Sequence, residues 1–200
     1  MKRRSFQRVS AGLRYRKLFL IAVEGEKTEP QYFTLFNHQS SVVRVSCLRG
    51  GHDSAPLQVL KRMEDYIKKE GIGASDEAWL VVDKDQWLES HLSELDTWAK
   101  SDHRYGLALS NPKFEYWLLL HFEEGDGVSS SRECSERLKR HIKDYDKGVD
   151  IRKITLTQIE IAVRRARLRD HPPCVDWPRV IGQTTVYRLI ERILESYAQK

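Results

Sequence analysis

Long apolar runs are missing from this 200-residue sequence. The longest one near the N-terminus covers residues 18–23. A membrane-spanning helix needs about 20 apolar residues, and the apolar part of a signal peptide needs about 7 to 15. The sequence therefore predicts neither a membrane anchor nor a secretion signal, and we expect a cytoplasmic protein.

Cysteine is also scarce. Cys47, Cys134 and Cys174 are far apart and odd in number, which argues against a disulfide framework and against a paired CxxC metal site. A Walker-type GxxxxGK[ST] motif is absent as well, so the sequence has no obvious means of hydrolysing a nucleotide. These absences leave a globular protein whose chemistry rests on other residue types.

Acidic residues are missing from the first 23 positions, which hold seven Lys or Arg. Residues 132–169 also carry a basic excess, whereas residues 24–131 hold nineteen acids against eleven bases. Basic flanks around an acidic middle suit a polyanion that is held by the flanks and reacts at a cation between them. Solvated helix surfaces give the same pattern, so charge alone leaves both interpretations open.

Short apolar segments alternate with helical ones in the first part of the chain. Strands are predicted at residues 18–25, 42–48, 79–82 and 105–109, and helices at residues 28–37, 56–70 and 90–100 and after Asn111. Strands joined by helical crossovers form a parallel sheet. We therefore predict an α/β fold with a four-stranded parallel sheet flanked by helices.

No strand is predicted beyond about residue 124, where the pattern indicates helices near 131–143, 155–169 and 183–198. These boundaries divide the chain into a basic flexible arm, an α/β catalytic domain and a helical extension packed on the same core, at residues 1–16, 17–124 and 125–200.

Two helix starts are predicted from capping patterns. Thr28 with Gln31 three residues later forms a capping box, and Pro30 is accommodated in the first turn. After the fourth strand, Asn111 is predicted to cap a helix with Pro112 at its first position. Both starts follow strand ends directly, which is where ligands bind in open parallel sheets.

Acidic residues lie where three predicted strands end. Glu24 closes the first strand, Asp83 and Asp85 close the third, and Glu115 lies in the first helical turn after the fourth. Asp83 and Asp85 point to the same side if their segment is extended. Carboxylates this close repel one another unless a cation compensates, and hard oxygen ligands favour magnesium or manganese. Each acid alone is better explained by a helix cap or a lysine partner, but the four together predict a metal site.

Four motifs in order make the pattern more specific: EGEKTEPQYF, VVDKDQW, LSNPKFEYWLLLHF and GQTTVYRLIE. With them the chain resembles the RloB-like family of small prokaryotic Toprim proteins, over about residues 15 to 195. More widely, the first two motifs resemble the Toprim module of primases, topoisomerases and OLD-type nucleases. The chain departs from that wider pattern at Thr28, where an aspartate would be expected.

The resemblance implies a Toprim-like fold in which Glu24 matches the catalytic glutamate and Asp83 and Asp85 match the metal-binding acids. Glu24 can be a metal ligand or a general acid or base, with Glu26 in reserve. The implied activity is a Mg²⁺-dependent endonuclease with one or two ions, in which Mn²⁺ is a second candidate. The resemblance implies nucleic acid as the substrate and slightly favours RNA, with tRNA a candidate, over DNA.

The implied biological role is that of an effector of prokaryotic defence against phage that works with an ATPase partner. A homo-oligomer is compatible with the sequence. A noncatalytic module that binds nucleic acid or a partner, with its acids serving structure, is the alternative. A topoisomerase-like enzyme would need a tyrosine nucleophile, and Tyr116 should face away from the acids.

Other residues complete the predicted site. Glu115 and Lys113 are candidate catalytic residues, because Lys113 starts a helix beside Glu115 and can contact phosphate. His121 is interpreted as a core histidine, with a proton shuttle as the alternative. In the helix predicted at residues 155–169, residues 164 and 167 share one face while 165 and 169 share another. The predicted nucleic-acid contacts are Arg3, Arg4, Arg14, Arg16, Lys27, Arg164 and Arg167.

Overall fold

The computed structural model describes residues 17–37, 43–49, 55–84, 87–142, 145 and 154–198. The predicted arm at residues 1–16, with its four candidate arginines, lies outside them, as does Asp85. Within the described ranges, no helix combines the length and the apolar character needed to cross a membrane.

Four parallel strands form the sheet in the spatial order β2-β1-β3-β4. They are β1 (Lys17–Val23), β2 (Val43–Leu48), β3 (Glu77–Asp83) and β4 (Tyr105–Asn111). The predicted α/β class and its parallel sheet are confirmed. A short strand β5 (Gln183–Thr184) pairs antiparallel with the end of β4, so the prediction of no strand beyond residue 124 was wrong. Two residues are too few to show an alternating pattern in the sequence.

Helices cover both faces of the sheet. They are α1 (Thr28–Phe33), α2 (Pro56–Glu70), α3 (Glu89–Lys100), α4 (Phe114–Leu119), α5 (Ser131–His141), α6 (Leu156–Arg169) and α7 (Val186–Ala198). A 3₁₀ turn at Thr34–Phe36 follows α1 directly. Alternate residues of β1 belong to different cores: Leu20 packs in the layer of α2 and α3, whereas Phe19 and Ile21 pack in the layer of α1, α4, α6 and α7. Burial on both faces accounts for the continuous apolar run in the sequence.

Two capping predictions were wrong. Thr28 is the first residue of α1 rather than its cap, and Lys27 stands before it without a side-chain cap. Asn111 ends β4, and the next helix begins at Phe114 after a cis Asn111–Pro112 bond. Pairing of Asn111 with Gln183 of β5 keeps this residue in the sheet. At Asn111 this tertiary contact outweighs the local capping pattern, whereas α1 begins one residue earlier than the capping pattern predicts.

A buried glutamate ties the C-terminal helix to the sheet. Glu77, which is 5% exposed, begins β3 and pairs with Lys17 of β1 and Arg192 of α7, each at 2.6 Å. The indole N–H of Trp79 also donates to Glu77 at 2.9 Å. Burial alone would raise the pKa of Glu77, but the hydrogen bonds from Arg192, Lys17 and Trp79 outweigh it and lower that pKa.

Replacing Glu77 with Gln should lower the free energy of unfolding by about 2 to 3 kcal/mol at pH 7, because two cations lose their buried partner. The folded pKa of Glu77 lies below the ordinary value of 4.5. Its stabilisation is therefore present above pH 4.5 and lost as the pH falls through the folded pKa. Urea unfolding at several pH values measures the difference in free energy of unfolding between wild type and variant. This difference should become smaller in acid.

Glu195→Gln is the matched control, because Glu195 contacts the same Arg192 at 3.7 Å while 62% exposed. That change should shift stability by less than about 0.5 kcal/mol. Equal losses in the two variants would contradict the assignment of Glu77 as the buried tie.

Candidate functional site

A pocket of about 280 Å³ opens where the parallel strands end. It lies beyond the carboxyl ends of β1 and β3 and beside the first turns of α1 and α4, the position at which open α/β sheets bind ligands. Four of the side chains around it are carboxylates. The lining residues are Glu24, Gly25, Thr28, Glu29, Asp83, Phe114 and Glu115.

Asp83 lies at the centre of the hydrogen bonds that assemble this pocket. Its Oδ1 accepts the backbone N–H of Phe114 at 2.8 Å, which fixes the start of α4 against the end of β3. The backbone N–H of Asp83 donates to Oε2 of Glu24 at 3.2 Å. In return, the backbone N–H of Glu24 donates to the carbonyl of Val81 at 3.2 Å. Sheet pairing thus brings together two acids that are 59 positions apart.

Glu29 is a pocket residue that the sequence reasoning missed. It is 6% exposed, and its Oε1 accepts the backbone N–H of Gly25 at 3.1 Å. A Cβ atom on Gly25 would lie 2.3 Å from Oε2 of Glu29, so the close approach of this carboxylate requires glycine after Glu24. The sequence shows only that Gly25 and Glu29 are four positions apart, which by itself does not predict that the carboxylate approaches the glycine. Glu26, named in reserve, is exposed and does not line the pocket.

Burial, reinforced by mutual repulsion, raises the pKa values of two carboxyl groups in the pocket. Removal from water raises the pKa of Asp83 well above the ordinary value of 3.8, and the negative charges of Glu29, Glu24 and Glu115 raise it further. The hydrogen bond from the backbone N–H of Phe114 acts in the opposite direction. The pKa of Glu29 is also raised, chiefly by burial and in part by the charge of Glu115. A bound cation would compensate the negative charges of these carboxylates and so favour their ionised forms.

Glu115 and Lys113 lie together at the start of α4. Lys113 Nζ lies 3.9 Å from Oε1 of Glu115 and donates to Oγ of Ser135, on α5, at 2.6 Å. The hydroxyl of Tyr145 donates to the same Oε1 at 2.7 Å. Lys113 therefore stands beside the pocket, as its sequence position predicted, and Tyr145 is a second neighbour that the sequence reasoning missed.

The donor set fits a hard divalent cation, because carboxylate oxygens are the ligands that Mg²⁺ and Mn²⁺ prefer. Two of the three predicted ligands, Glu24 and Asp83, line one pocket. The third, Asp85, lies outside the described residues. Among the residues that the structure does describe, no three His, Cys, Asp or Glu side chains already form a metal-binding group.

The predicted nucleic-acid contacts take different positions. Lys27 is exposed next to the pocket residue Thr28, and Arg164 is exposed on α6. Arg167 is also exposed but pairs with Glu191 of α7. On the other face of α6, Arg165 and Arg169 bind the segment after α4, through Glu124 and Asp126. The helix thus divides its arginines between packing and solvent, as the predicted faces require.

Two residues considered for other chemistry are in the core. The hydroxyl of Tyr116 is directed at the carbonyl of Gly125, 3.5 Å away, and the side chain is fully buried. His121 is 2% exposed, with Nε2 3.2 Å from the hydroxyl of Tyr32. Burial lowers the pKa of His121 to about 4. Neither residue lines the acidic pocket.

Asp83→Asn should stabilise the protein in EDTA at pH 7, because it removes the most strongly repelled charge and retains an oxygen for the Phe114 N–H. The folded pKa of Asp83 is raised, so wild type loses stability relative to the variant as the pH rises above 3.8. Thermal unfolding from acid to neutral pH shows whether the variant becomes more stable than wild type as the pH rises. Added Mg²⁺ should stabilise wild type more than Asp83→Asn, and a variant less stable than wild type at pH 7 in EDTA would contradict the repulsion.

Comparison with known proteins identifies the family. The family model described as RloB-like protein matches residues 19–193, which include every residue that lines the acidic pocket. No curated protein and no solved structure matches the chain significantly. A wider relationship to Toprim proteins stays a prediction, with which the mostly parallel sheet is consistent. Because the matched segment covers most of the sequence, this chain belongs to the RloB-like protein family.

Proposed function

We propose that this protein is a Mg²⁺-dependent endonuclease that cleaves phosphodiester bonds in nucleic acid, with RNA slightly favoured over DNA. One observation carries the proposal: four carboxylates from three parts of the chain converge on one pocket at the carboxyl edge of a parallel sheet. Burial and, after it, repulsion by the neighbouring acids raise the pKa of Asp83. An arrangement this costly is retained where a cation and a phosphate are to be bound.

In this proposal Glu24 and Asp83 hold the ion, together with Asp85. A bound Mg²⁺ would neutralise charge on the phosphate and lower the pKa of an attacking water. Glu24 is oriented by the backbone N–H of Asp83, which keeps one oxygen at the pocket as a ligand or as the acceptor of a proton. The number of ions, one or two, stays open.

The remaining pocket residues have supporting roles. Glu115, on α4, lines the same pocket and can hold a water or accept its proton. Lys113 supplies positive charge beside it, at 3.9 Å from its Oε1, which suits a contact with a phosphate oxygen. Lys27 is exposed at the start of α1 and can hold a flanking phosphate.

The family suggests the biological setting of this activity. RloB-like membership supports a role as an effector of prokaryotic defence that is controlled by an ATPase partner. The sequence lacks a Walker motif, so nucleotide hydrolysis would have to come from that partner. The preference for RNA, and for tRNA within it, rests on the resemblance alone.

A noncatalytic module that binds nucleic acid or a partner is the second candidate. It is favoured by one observation, that Oδ1 of Asp83 already has a structural partner, the backbone N–H at which α4 begins. In that case Asp83 would be retained to fix the start of α4 through the Phe114 N–H. Such a module would bind nucleic acid equally well in EDTA and in Mg²⁺.

Cleavage should require both the ion and Asp83. We expect the purified protein, with its ATPase partner, to cut total RNA or plasmid DNA in Mg²⁺ or Mn²⁺ and to be inactive in EDTA. Asp83→Asn should lower the rate about 100-fold or more, because the substitution removes a ligand charge while keeping the side-chain shape. Gel analysis of both substrates gives the rates.

Glu94→Gln is the matched control, since Glu94 is an exposed acid on α3 that does not line the pocket. It should cleave like wild type. Cleavage that persists both in EDTA and in Asp83→Asn would refute the metal mechanism, and binding without cleavage under every condition would favour the module.

Nucleic-acid binding should depend on salt in part through Arg164, which is exposed on α6. Arg164→Ala is expected to weaken binding at all sequences and to reduce the slope of log affinity against log salt by about 1. Fluorescence anisotropy with a labelled RNA in EDTA measures this slope without cleavage. Lys68→Ala removes an exposed cation from α2, on the other face of the sheet, and should leave the slope unchanged. Identical slopes for all three proteins would exclude Arg164 from the binding surface.

A further inference from the structure

Tyr145 is a buried tyrosine whose hydroxyl lies at the edge of the acidic pocket. It follows α5 in the chain, in the predicted helical extension, and is 8% exposed. The hydroxyl donates to Oε1 of Glu115 at 2.7 Å, a distance typical of a strong hydrogen bond to a carboxylate. The extension thus makes a direct polar contact with a residue that lines the pocket.

A second contact connects Tyr145 with the start of α1. Oγ1 of Thr28, the first residue of α1 and a pocket residue, lies 3.4 Å from the same hydroxyl. The single proton of Tyr145 is given to Glu115, so Thr28 acts as donor and Tyr145 as acceptor in this contact. A chain of hydrogen bonds runs from Thr28 through Tyr145 to Glu115 and spans α1 and α4.

The surroundings keep the hydroxyl protonated. Removal from water and the charge of Glu115 both raise the pKa of Tyr145, so this side chain stays a donor throughout the neutral range. Lys113 lies on the same side of Glu115, 3.9 Å from Oε1. Both neighbours therefore act on Oε1, and together they restrict the rotation of the Glu115 carboxylate.

We propose that Tyr145 is a positioning residue that fixes the Glu115 carboxylate for ion binding and phosphodiester cleavage in the acidic pocket. The cleavage part rests on the proposed function. Tyr145 does not line the pocket itself but orients a carboxylate that lines it together with Glu24 and Asp83. Because Tyr145 belongs to the extension, the orientation of Glu115 depends on a contact from outside residues 17–124.

The experiment is a double-mutant cycle on the full-length chain, with Tyr145→Phe, Glu115→Gln and the double variant. Calorimetry with Mn²⁺ alone measures ion affinity, and cleavage in Mn²⁺ measures kcat and KM. Loss of a group that orients a metal-site residue costs about 10-fold to 100-fold in metal affinity or in activity. We expect such a loss in Tyr145→Phe, in Mn²⁺ affinity or in kcat, with KM for the nucleic acid little changed.

In the Glu115→Gln background, Tyr145→Phe should have almost no further effect, since the tyrosine acts through that carboxylate. Tyr187→Phe is the matched control, because Tyr187 in α7 also donates to a carboxylate, Asp170, at 2.9 Å but away from the pocket. It should lower thermal stability and leave both Mn²⁺ affinity and kcat unchanged.

The outcomes separate this proposal from the proposed function. Equal Mn²⁺ affinity and kcat in wild type and Tyr145→Phe, or losses that simply add to those of Glu115→Gln, would overturn the positioning role. A loss of Mn²⁺ affinity that is coupled to Glu115 in a protein that cuts neither RNA nor DNA would support the positioning role and reject the endonuclease. A wild-type chain that binds no Mn²⁺ would overturn both.

Discussion

Burial of mutually repelling carboxylates at the end of the parallel sheet is the constraint on which the proposed site depends. The strand pairing that buries the apolar core also places Glu24 and Asp83 side by side, and the helices that follow add Glu29 and Glu115. Burial makes the ionised forms of Asp83 and Glu29 more costly, and the neighbouring acids increase that cost. A protein can keep such a group by protonating it or by binding a cation, and the second solution is the basis of the proposed function.

Backbone hydrogen bonds hold the acids despite this repulsion. Asp83 accepts the N–H that begins α4, Glu29 accepts the N–H of Gly25, and Glu24 accepts the N–H of Asp83. Each bond is charge-assisted and orients one carboxylate oxygen. The pocket is therefore organised by the backbone of the strand ends, and the geometry of its acids does not depend on long flexible side chains alone.

The C-terminal part of the chain completes both the sheet and the site. Strand β5 extends the sheet beside β4, and Arg192 of α7 reaches Glu77 at the start of β3. At the opposite edge of the sheet, Tyr145 reaches Glu115. These contacts join the extension to the α/β part at both ends of the strands, so stability and site geometry share the same interface.

Periodicity and strand-end logic were enough to predict the parallel sheet, the helices and the meeting of Glu24, Asp83 and Glu115, because an apolar run followed by an acid is a local pattern. Local capping rules failed at two helix starts, and at Asn111 a distant partner competed. Asn111 has the pattern of a helix cap, yet it pairs with Gln183 in the sheet. Thr28 has the pattern of a capping box, yet it is the first residue of α1 and contacts Tyr145.

The sequence by itself determined the α/β class, the family and the carboxyl edge of the sheet as the place where acids gather, since these follow from patterns within short segments. Only the tertiary structure decided that Glu29 belongs to the pocket and that Tyr145 holds Glu115. The first needed the close approach of a carboxylate to Gly25, and the second a contact between residues 30 positions apart. Distances of this kind arise when the elements pack, and no local pattern encodes them.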